Sequence, residues 1–476
     1  IGLPNKDYYI SEDKKELLQK YSEHIVAMAI LMGKSDLEAN AISKSVISIE
    51  TQLAEGMMAP AELRVPEKTY NKFSLGDFSD KLKPFDFQAY LRESHIESFD
   101  TLIVGQTIFA ENLGKMIYKA ELEDLKNYLL WTVVNHYASH LDSKFVNQDF
   151  EFYAKTLSGK SELKPQNELA IDEITGLPIG ELLGKTFVGR HFSDASQQRV
   201  NTMVDNLVLV FRERITKLEW MSDTTKLEAL GKLNAIGRKL GFPTIWEDFS
   251  SLDLRADDYV GNYRQIAKYA RRKNLLKLNQ EVDKNEWGMP AHMVNAYYHP
   301  LLNEIAFPAG IMQAPFFSEK YEDAVNYGRI GMVIGHEFTH GFDDMGSKFA
   351  SDGTFRNWWT AEDRAAFEKR TTKLGNTFAN FCPVEGHCVN PDLTMGENIA
   401  DLGGLTLAYY AYTKTEDFKA GIVRDGYTPA QRFFIAYAQL WKINYTQEEL
   451  KKRVANDPHS PGMYRRPITA SSRTSR

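Results

Sequence analysis

The 476-residue chain has two cysteines, Cys382 and Cys388. No disulfide framework can hold it together, so stability has to come from a hydrophobic core. Lying close in sequence, the two thiols could form one local bridge or stay free. Long apolar runs are also missing. The longest, Ile25 to Met32, falls short of the roughly 18 residues that cross a bilayer and reads as a core helix segment. No basic block occurs and the formal net charge is −7, which argues against nucleic acid as the main partner. The start at Ile1 lacks both Met and a signal-peptide pattern, as expected of a mature or excised segment. One N-x-T sequon, Asn444-Tyr445-Thr446, is too little to infer glycosylation. No internal repeat or low-complexity tract is present. The hydrophobic share of 43% and charged share of 25% are those of an ordinary globular protein, and the length allows two or three domains.

What is there is concentrated in one stretch, Val333-Ile334-Gly335-His336-Glu337-Phe338-Thr339-His340-Gly341-Phe342. It contains His-Glu-x-x-His. Two imidazoles four residues apart on a helix lie on the same face and can share a metal ion, while the Glu between them can reach a water on that metal. A wet helix with two surface histidines is the bland alternative. Against it, Ile330, Val333, Ile334 and Phe338 form an apolar stripe at helical spacing, so the helix should be buried. Gly328, Gly331 and Gly335 each destabilise a helix interior by roughly 1 kcal/mol. Together they point to a face where another backbone packs very closely.

Around this motif the chain reads as mostly helical. An amphipathic segment runs from Ser11 to about Met32. Ser35 with Glu38 is a capping box for a helix ending before Gly56. Residues 57–84, broken by Pro60, Pro66 and Pro84, read as a loop. Thr101 to Val104 could be a short strand, and helical patterns fill Asn112 to Leu157 with a break near Asp142. A polar connection, Ser158 to Gln166, precedes helical runs at Ser196–Trp220 and Ser222–Leu240, the latter stopped by Gly241 and Pro243. Residues 1–280 are therefore expected to form a mainly helical lobe. Within it, His136 and His140 repeat the four-residue spacing, but no acid lies between them and no third ligand follows, so they read as surface or satisfied histidines. After 280 the texture changes. Met293 to Tyr298 and Ile305 to Phe307 look like short strands joined by a turn over 299–304. An edge strand beside a metal site could cradle an extended peptide by backbone pairing.

A catalytic zinc commonly takes three protein ligands and a water. Positions 343 and 346 are Asp and Gly rather than the Gly and His that would supply a third histidine, so that arrangement is excluded. The other solution is a later helical glutamate. In Gly396-Glu397-Asn398-Ile399-Ala400-Asp401, Glu397 can complete the set, and Asp401, one turn on, can accept the N–H of a ligand histidine. Zinc would then acidify its water and polarise a scissile carbonyl, with Glu337 as general base and later proton donor.

His336-Glu-Phe-Thr-His340 followed by Gly-Phe-Asp-Asp, together with Gly-Glu-Asn-Ile-Ala-Asp at 396–401, resembles the neprilysin and endothelin-converting-enzyme family of zinc endopeptidases. Val294-Asn295-Ala296-Tyr297-Tyr298, Phe307-Pro308-Ala309-Gly310-Ile311, Pro315-Phe316-Phe317 and His459-Ser460-Pro461-Gly462 with Arg465 are similar to further family segments. Gly2-Leu3-Pro4 with Asp7-Tyr8-Tyr9 resembles a stretch well inside the full-length family chain. The resemblance is dense over about 281–465 and thinner before it. It implies a mainly α fold with a small β-sheet, in which a thermolysin-like catalytic lobe is capped by a helical lobe enclosing a central cavity. A zinc-binding catalytic lobe is expected at 281–465 and a disordered tail at 466–476. One Zn2+ per chain is implied, held by His336, His340 and Glu397, with Glu337, His459 and Asp401 in the catalytic machinery. Asn295 and Ala296 would hold the substrate backbone, His459 would stabilise the oxyanion, and Arg465 would bind a substrate carbonyl. Ile311, Phe316, Met332, Val333 and Trp441 would form the pocket for a large apolar residue after the scissile bond. The implied substrates are peptides, and the implied location is extracytoplasmic: periplasmic, cell-surface or secreted. Vertebrate members are rich in disulfides, so two cysteines point toward a bacterial member. A catalytically silent binding or adhesin-like protein, or an inactive fragment, on the same scaffold is the competing reading. An exopeptidase would need an amine-anchoring acidic cluster beside the motif, and none is seen.

Overall fold

The computed structural model describes residues 1–465. The expected tail at 466–476 lies outside the described residues. The chain packs as two compact units. One comprises Ile1–Pro165, Leu252–Val282 and Thr446–Asn456; the other comprises Gln166–Ser251, Asp283–Tyr445 and the described residues from Asp457 on. The division thus differs from a single cut at 280. Residues 166–251 belong with the motif-bearing unit, because their apolar side chains enter its core and one of their segments completes its sheet.

The first unit is built on helices α1 (Lys15–Leu31), α2 (Asp36–Glu55), α3 (Thr107–Lys119) and α4 (Leu122–Tyr137). Ser35 and Glu38 form the capping box at the start of α2. Tyr21, Ile25 and Met28 of α1 pack with Ile42 and Val46 of α2, Trp131 of α4 and Phe152. Residues 57–84 are more ordered than a loop. Pro60 and Pro66 each open a short helix, where proline's missing N–H is no loss and its fixed φ suits the first turn. Strand β1 (Lys72–Ser74) follows and pairs antiparallel with β2 (Thr101–Ile103).

The second unit begins with α5 (Asp194–Thr216) and α6 (Asp223–Ala235). Helix α6 stops short of Leu240, because Gly237–Gly241 is strand β3. It runs parallel to β5 (Glu304–Pro308), on whose other side β4 (Tyr297–His299) pairs antiparallel. All five residues of β5 are buried, as the centre of a three-stranded sheet requires. Strand β4 lies at the sheet edge and starts later than Met293. A π-helical turn, Tyr327–Gly331, leads into α7 (Met332–His340). Helices α8 (Ala361–Phe378), α9 (Pro391–Tyr412) and α10 (Pro429–Leu440) complete the unit. Ile330, Ile334 and Phe338 are buried against this core, each contributing roughly 1.5–3 kcal/mol. Val333 is only partly buried. Cys382 and Cys388 are joined in a local disulfide. Among the described residues no helix is long and apolar enough to cross a membrane.

Candidate metal centre and active site

The glycines of α7 and of the π-helical turn before it allow close backbone approach. A Cβ on Gly335 would lie 2.7 Å from the carbonyl oxygen of Gly404, and one on Gly328 would lie 2.5 Å from that of Phe433. Helices α7 and α9 therefore touch backbone to backbone. Glu397, Asp401 and Gly404 recur at helical spacing, so the contact at Gly404 turns both carboxylates toward α7.

The carboxylates meet the histidines. The two imidazoles of α7 stand with ring centroids 4.5 Å apart. His336 Nδ1 lies 2.9 Å from Asp401 Oδ1, and His340 Nδ1 lies 2.7 Å from Asp343 Oδ2. An ionised carboxylate only accepts, so each Nδ1 carries the proton and each Nε2 is turned inward. The two Nε2 atoms are 3.0 Å apart, with Glu397 Oε2 at 3.2 and 3.6 Å from them. Neutral rings would set two bare nitrogens against each other, so a proton or a cation must lie between them. Burial opposes charging His340, but Glu397 and Asp343 outweigh it and hold its pKa well above the ordinary value. Burial opposes ionising Glu397, yet His340 and His336 hold it well below the usual carboxylate range. The donor atoms of His336, His340 and Glu397 all lie within 4.8 Å of one another. Glu397 Oε2 is buried with no hydrogen bond of good geometry, its neighbours being imidazole Nε2 atoms. Two imidazole nitrogens and one carboxylate oxygen are a donor set that fits zinc.

Asp401 is buried, and burial raises its pKa, but Arg465 and His336 outweigh that and lower it. Both of its oxygens accept from the Arg465 guanidinium. Arg465 is buried too, with its guanidinium 3.8 Å from the centroid of the Trp441 ring. The last segment is pinned to α9 by Ser460 Oγ, which donates to Asn398 Oδ1 at 2.8 Å. This brings His459 Nε2 to 3.1 Å from Glu397 Oε2. His459 Nδ1 is held by Asp457 at 2.9 Å. Burial disfavours the His459 cation, but Asp457 and Glu397 win and push its pKa to about 9. Glu337 is buried beside its two histidines. Burial raises its pKa, and the histidines only partly offset this.

Asn295 and Ala296 lie just ahead of β4, and the Asn295 side chain accepts from the Ala296 N–H at 2.9 Å. Ile311 and Met332 are buried in the core of the second unit, against which Phe316, Val333 and Trp441 pack. Met332 has no exposed surface. Two residues escaped sequence reasoning. Asp343 orients His340, and its available signal was an acid three residues after a ligand histidine. Asp457 holds His459 from two residues before it.

Two models of peptidase family M13 match the chain, one over residues 1–243 and one over residues 295–473. An endothelin-converting enzyme homolog of Locusta migratoria is 32% identical over 98% of this chain and 67% of its own length. Endothelin-converting enzyme 1 of Homo sapiens is 31% identical over 98% of this chain and 62% of its own. The chain thus spans about three-fifths to two-thirds of these relatives. Among solved structures, the zinc metalloprotease ZMP1 of Mycobacterium tuberculosis, in complex with an inhibitor, superposes with a TM-score of 0.93. It is 35% identical, over 98% of this chain and 72% of that one. PepO from Lactobacillus rhamnosis gives a TM-score of 0.90 at 26% identity, over 98% of this chain and 73% of that one.

Proposed function

Because the chain belongs to peptidase family M13, we propose that it is a zinc-dependent endopeptidase cleaving peptides on the amino side of large apolar residues. The observation that carries this reading is the convergence of a buried Glu397 oxygen with two inward-facing Nε2 atoms of the helix that also carries Glu337. His336, His340 and Glu397 would hold one zinc ion, which supplies a Lewis acid for the scissile carbonyl and lowers the pKa of water. Glu337 takes the proton of the attacking water and delivers it to the leaving amine. Burial raises its pKa, which favours a group that must return the proton it accepts. Asp401 and Asp343 retain the Nδ1 protons and keep both rings oriented. His459, kept cationic by Asp457, donates toward the developing oxyanion.

An extended peptide would lie along the edge beside β4, held by Asn295 and the backbone of Ala296. Arg465, braced by Asp401, would meet a substrate carbonyl. Ile311, Phe316, Val333 and Trp441 would line the apolar pocket, with Met332, which has no exposed surface, backing it. An extracytoplasmic location belongs to the same proposal.

The test is cleavage of a quenched peptide with an internal Phe or Leu, comparing the purified chain with Glu337→Gln and quantifying zinc in both. Cleavage before the apolar residue by the parent alone, with zinc in both proteins, supports the reading. Zinc in both and cleavage by neither would replace it with a binding protein on the same scaffold.

A further inference from the structure

One buried charge in the second unit takes no part in the chemistry just described. Lys232, on α6, is 1% exposed. Its ammonium donates to the carbonyl oxygens of Gly346 and Phe349, each at 2.7 Å. The rings of Phe342, Tyr298 and Trp358 surround it, with centroids 5.7, 5.9 and 6.0 Å away. An ammonium is strongly hydrated, so burying one is costly, and two carbonyls and three aromatic faces replace only part of its water. Burial pushes its pKa down to about 7 against the opposing pull of Asp343.

What it holds is the turn that follows α7. Gly346 is gripped from both sides: its N–H donates to Asp343 Oδ1 at 2.6 Å, and its carbonyl accepts from Lys232. Met345 N–H donates to the same Asp343 oxygen at 2.8 Å. The other oxygen of Asp343 meets His340 Nδ1. Gly346 also sits so tightly under His340 that a Cβ there would collide with the His340 carbonyl oxygen. Two carbonyls of the turn are held by indoles as well. Trp359 Nε1 donates to Ser347 O at 3.0 Å, and Trp358 Nε1 shares Phe349 O at 3.1 Å. The backbone carbonyl of Lys232 accepts from Asn303, whose side-chain oxygen accepts from the Tyr298 hydroxyl next to the strand edge.

We infer that Lys232 is a positioning residue for the metal centre: its ammonium fixes the turn over 343–349 and so keeps Asp343 aligned on His340. This rests on the proposed zinc site. It acts through Asp343 and touches neither metal nor substrate. Removing the ammonium takes one of two donors from each carbonyl, leaving Gly346 O to the Phe349 N–H and Phe349 O to Trp358 Nε1, and so loosens the turn and the carboxylate it carries.

The test is zinc affinity measured by competition with a chromophoric chelator on the parent, Lys232→Met, Asp343→Asn and the double variant, with thermal denaturation of each zinc-free protein alongside. Lys232→Met should bind zinc about 10- to 100-fold more weakly, the range expected when a partner of a ligand histidine is disturbed. The double variant should be little weaker than Asp343→Asn alone, since both changes act on one contact. Lys232→Gln, which keeps an N–H donor, serves if Lys232→Met does not fold, and should also bind more weakly than the parent. Unchanged affinity in the folded Lys232 variant, or losses that multiply in the double variant, overturns the inference alone. A parent that holds no zinc overturns the reading of the site and this inference with it.

Discussion

Two histidine pairs share the same spacing and have opposite fates. His336 and His340 sit on one helix, each Nδ1 on a carboxylate, so that both Nε2 atoms converge with Glu397. His136 ends α4, whereas His140 falls in a 3-10 turn beyond it. His136 Nε2 pairs with the Tyr263 hydroxyl at 3.2 Å, and the His140 ring lies 4.3 Å from the Tyr263 ring with its Nδ1 on Ser139 Oγ. One pair is surrounded by carboxylates and the other by aromatic rings. Four-residue spacing brings two rings together, but the partner of each ring's far nitrogen decides whether the near ones present lone pairs.

The largest effect should come from removing one member of the first pair. His340→Ala should abolish both zinc retention and peptide cleavage, while His136→Ala, at an exposed position, should leave one zinc per chain. Loss of zinc in His136→Ala would break the contrast. Next, Glu337→Gln should lower kcat by about 10²- to 10⁴-fold with zinc retained. Asp401→Asn should weaken zinc binding by about 10- to 100-fold, whereas Tyr263→Phe should not change it. Chelator competition on the two variants sharpens the claim that carboxylate partners, not ring proximity, make the site.

The smallest effect is on pH dependence. Glu337 works ionised and its pKa is raised, so kcat/KM should fall on the acid side at a higher pH than for an ordinary glutamate. His459 works protonated and is pushed up to about 9, so activity should fall as pH rises through that value. Asp457→Asn removes a bond that raises it and should move the basic limb to lower pH. An unmoved limb would take His459 out of that role.

Local chemistry was legible in the sequence. The capping box at Ser35, the buried stripe through Ile334 and Phe338, and the close approach at Gly335 all follow from neighbours within a few residues. So does the shared face of Glu397 and Asp401, and the motif spacing was enough to look for such a ligand. What depends on distant partners was not legible. Gly237–Gly241 extends because β5, more than sixty residues later, offers a ladder. Residues 166–251 join the second unit for the same reason, since nothing in their own pattern names the core they enter. Pro60 and Pro66 were misjudged differently: proline breaks a helix in its interior but starts one at its first position. His459 and Arg465 carry no local signal, and only family likeness drew attention to them.

The glycine contact between α7 and α9 also acts as a gauge. Two candidate ligands ride on one helix and the third on the other, so the aperture offered to an ion is set by how closely the two backbones approach. Metal–ligand distances tolerate only about 0.2 Å. A single methyl group at Gly335 or Gly404 would drive the helices further apart than that. The spacing of the candidate ligands therefore depends on two residues without functional groups, one of them two helical turns from Glu397.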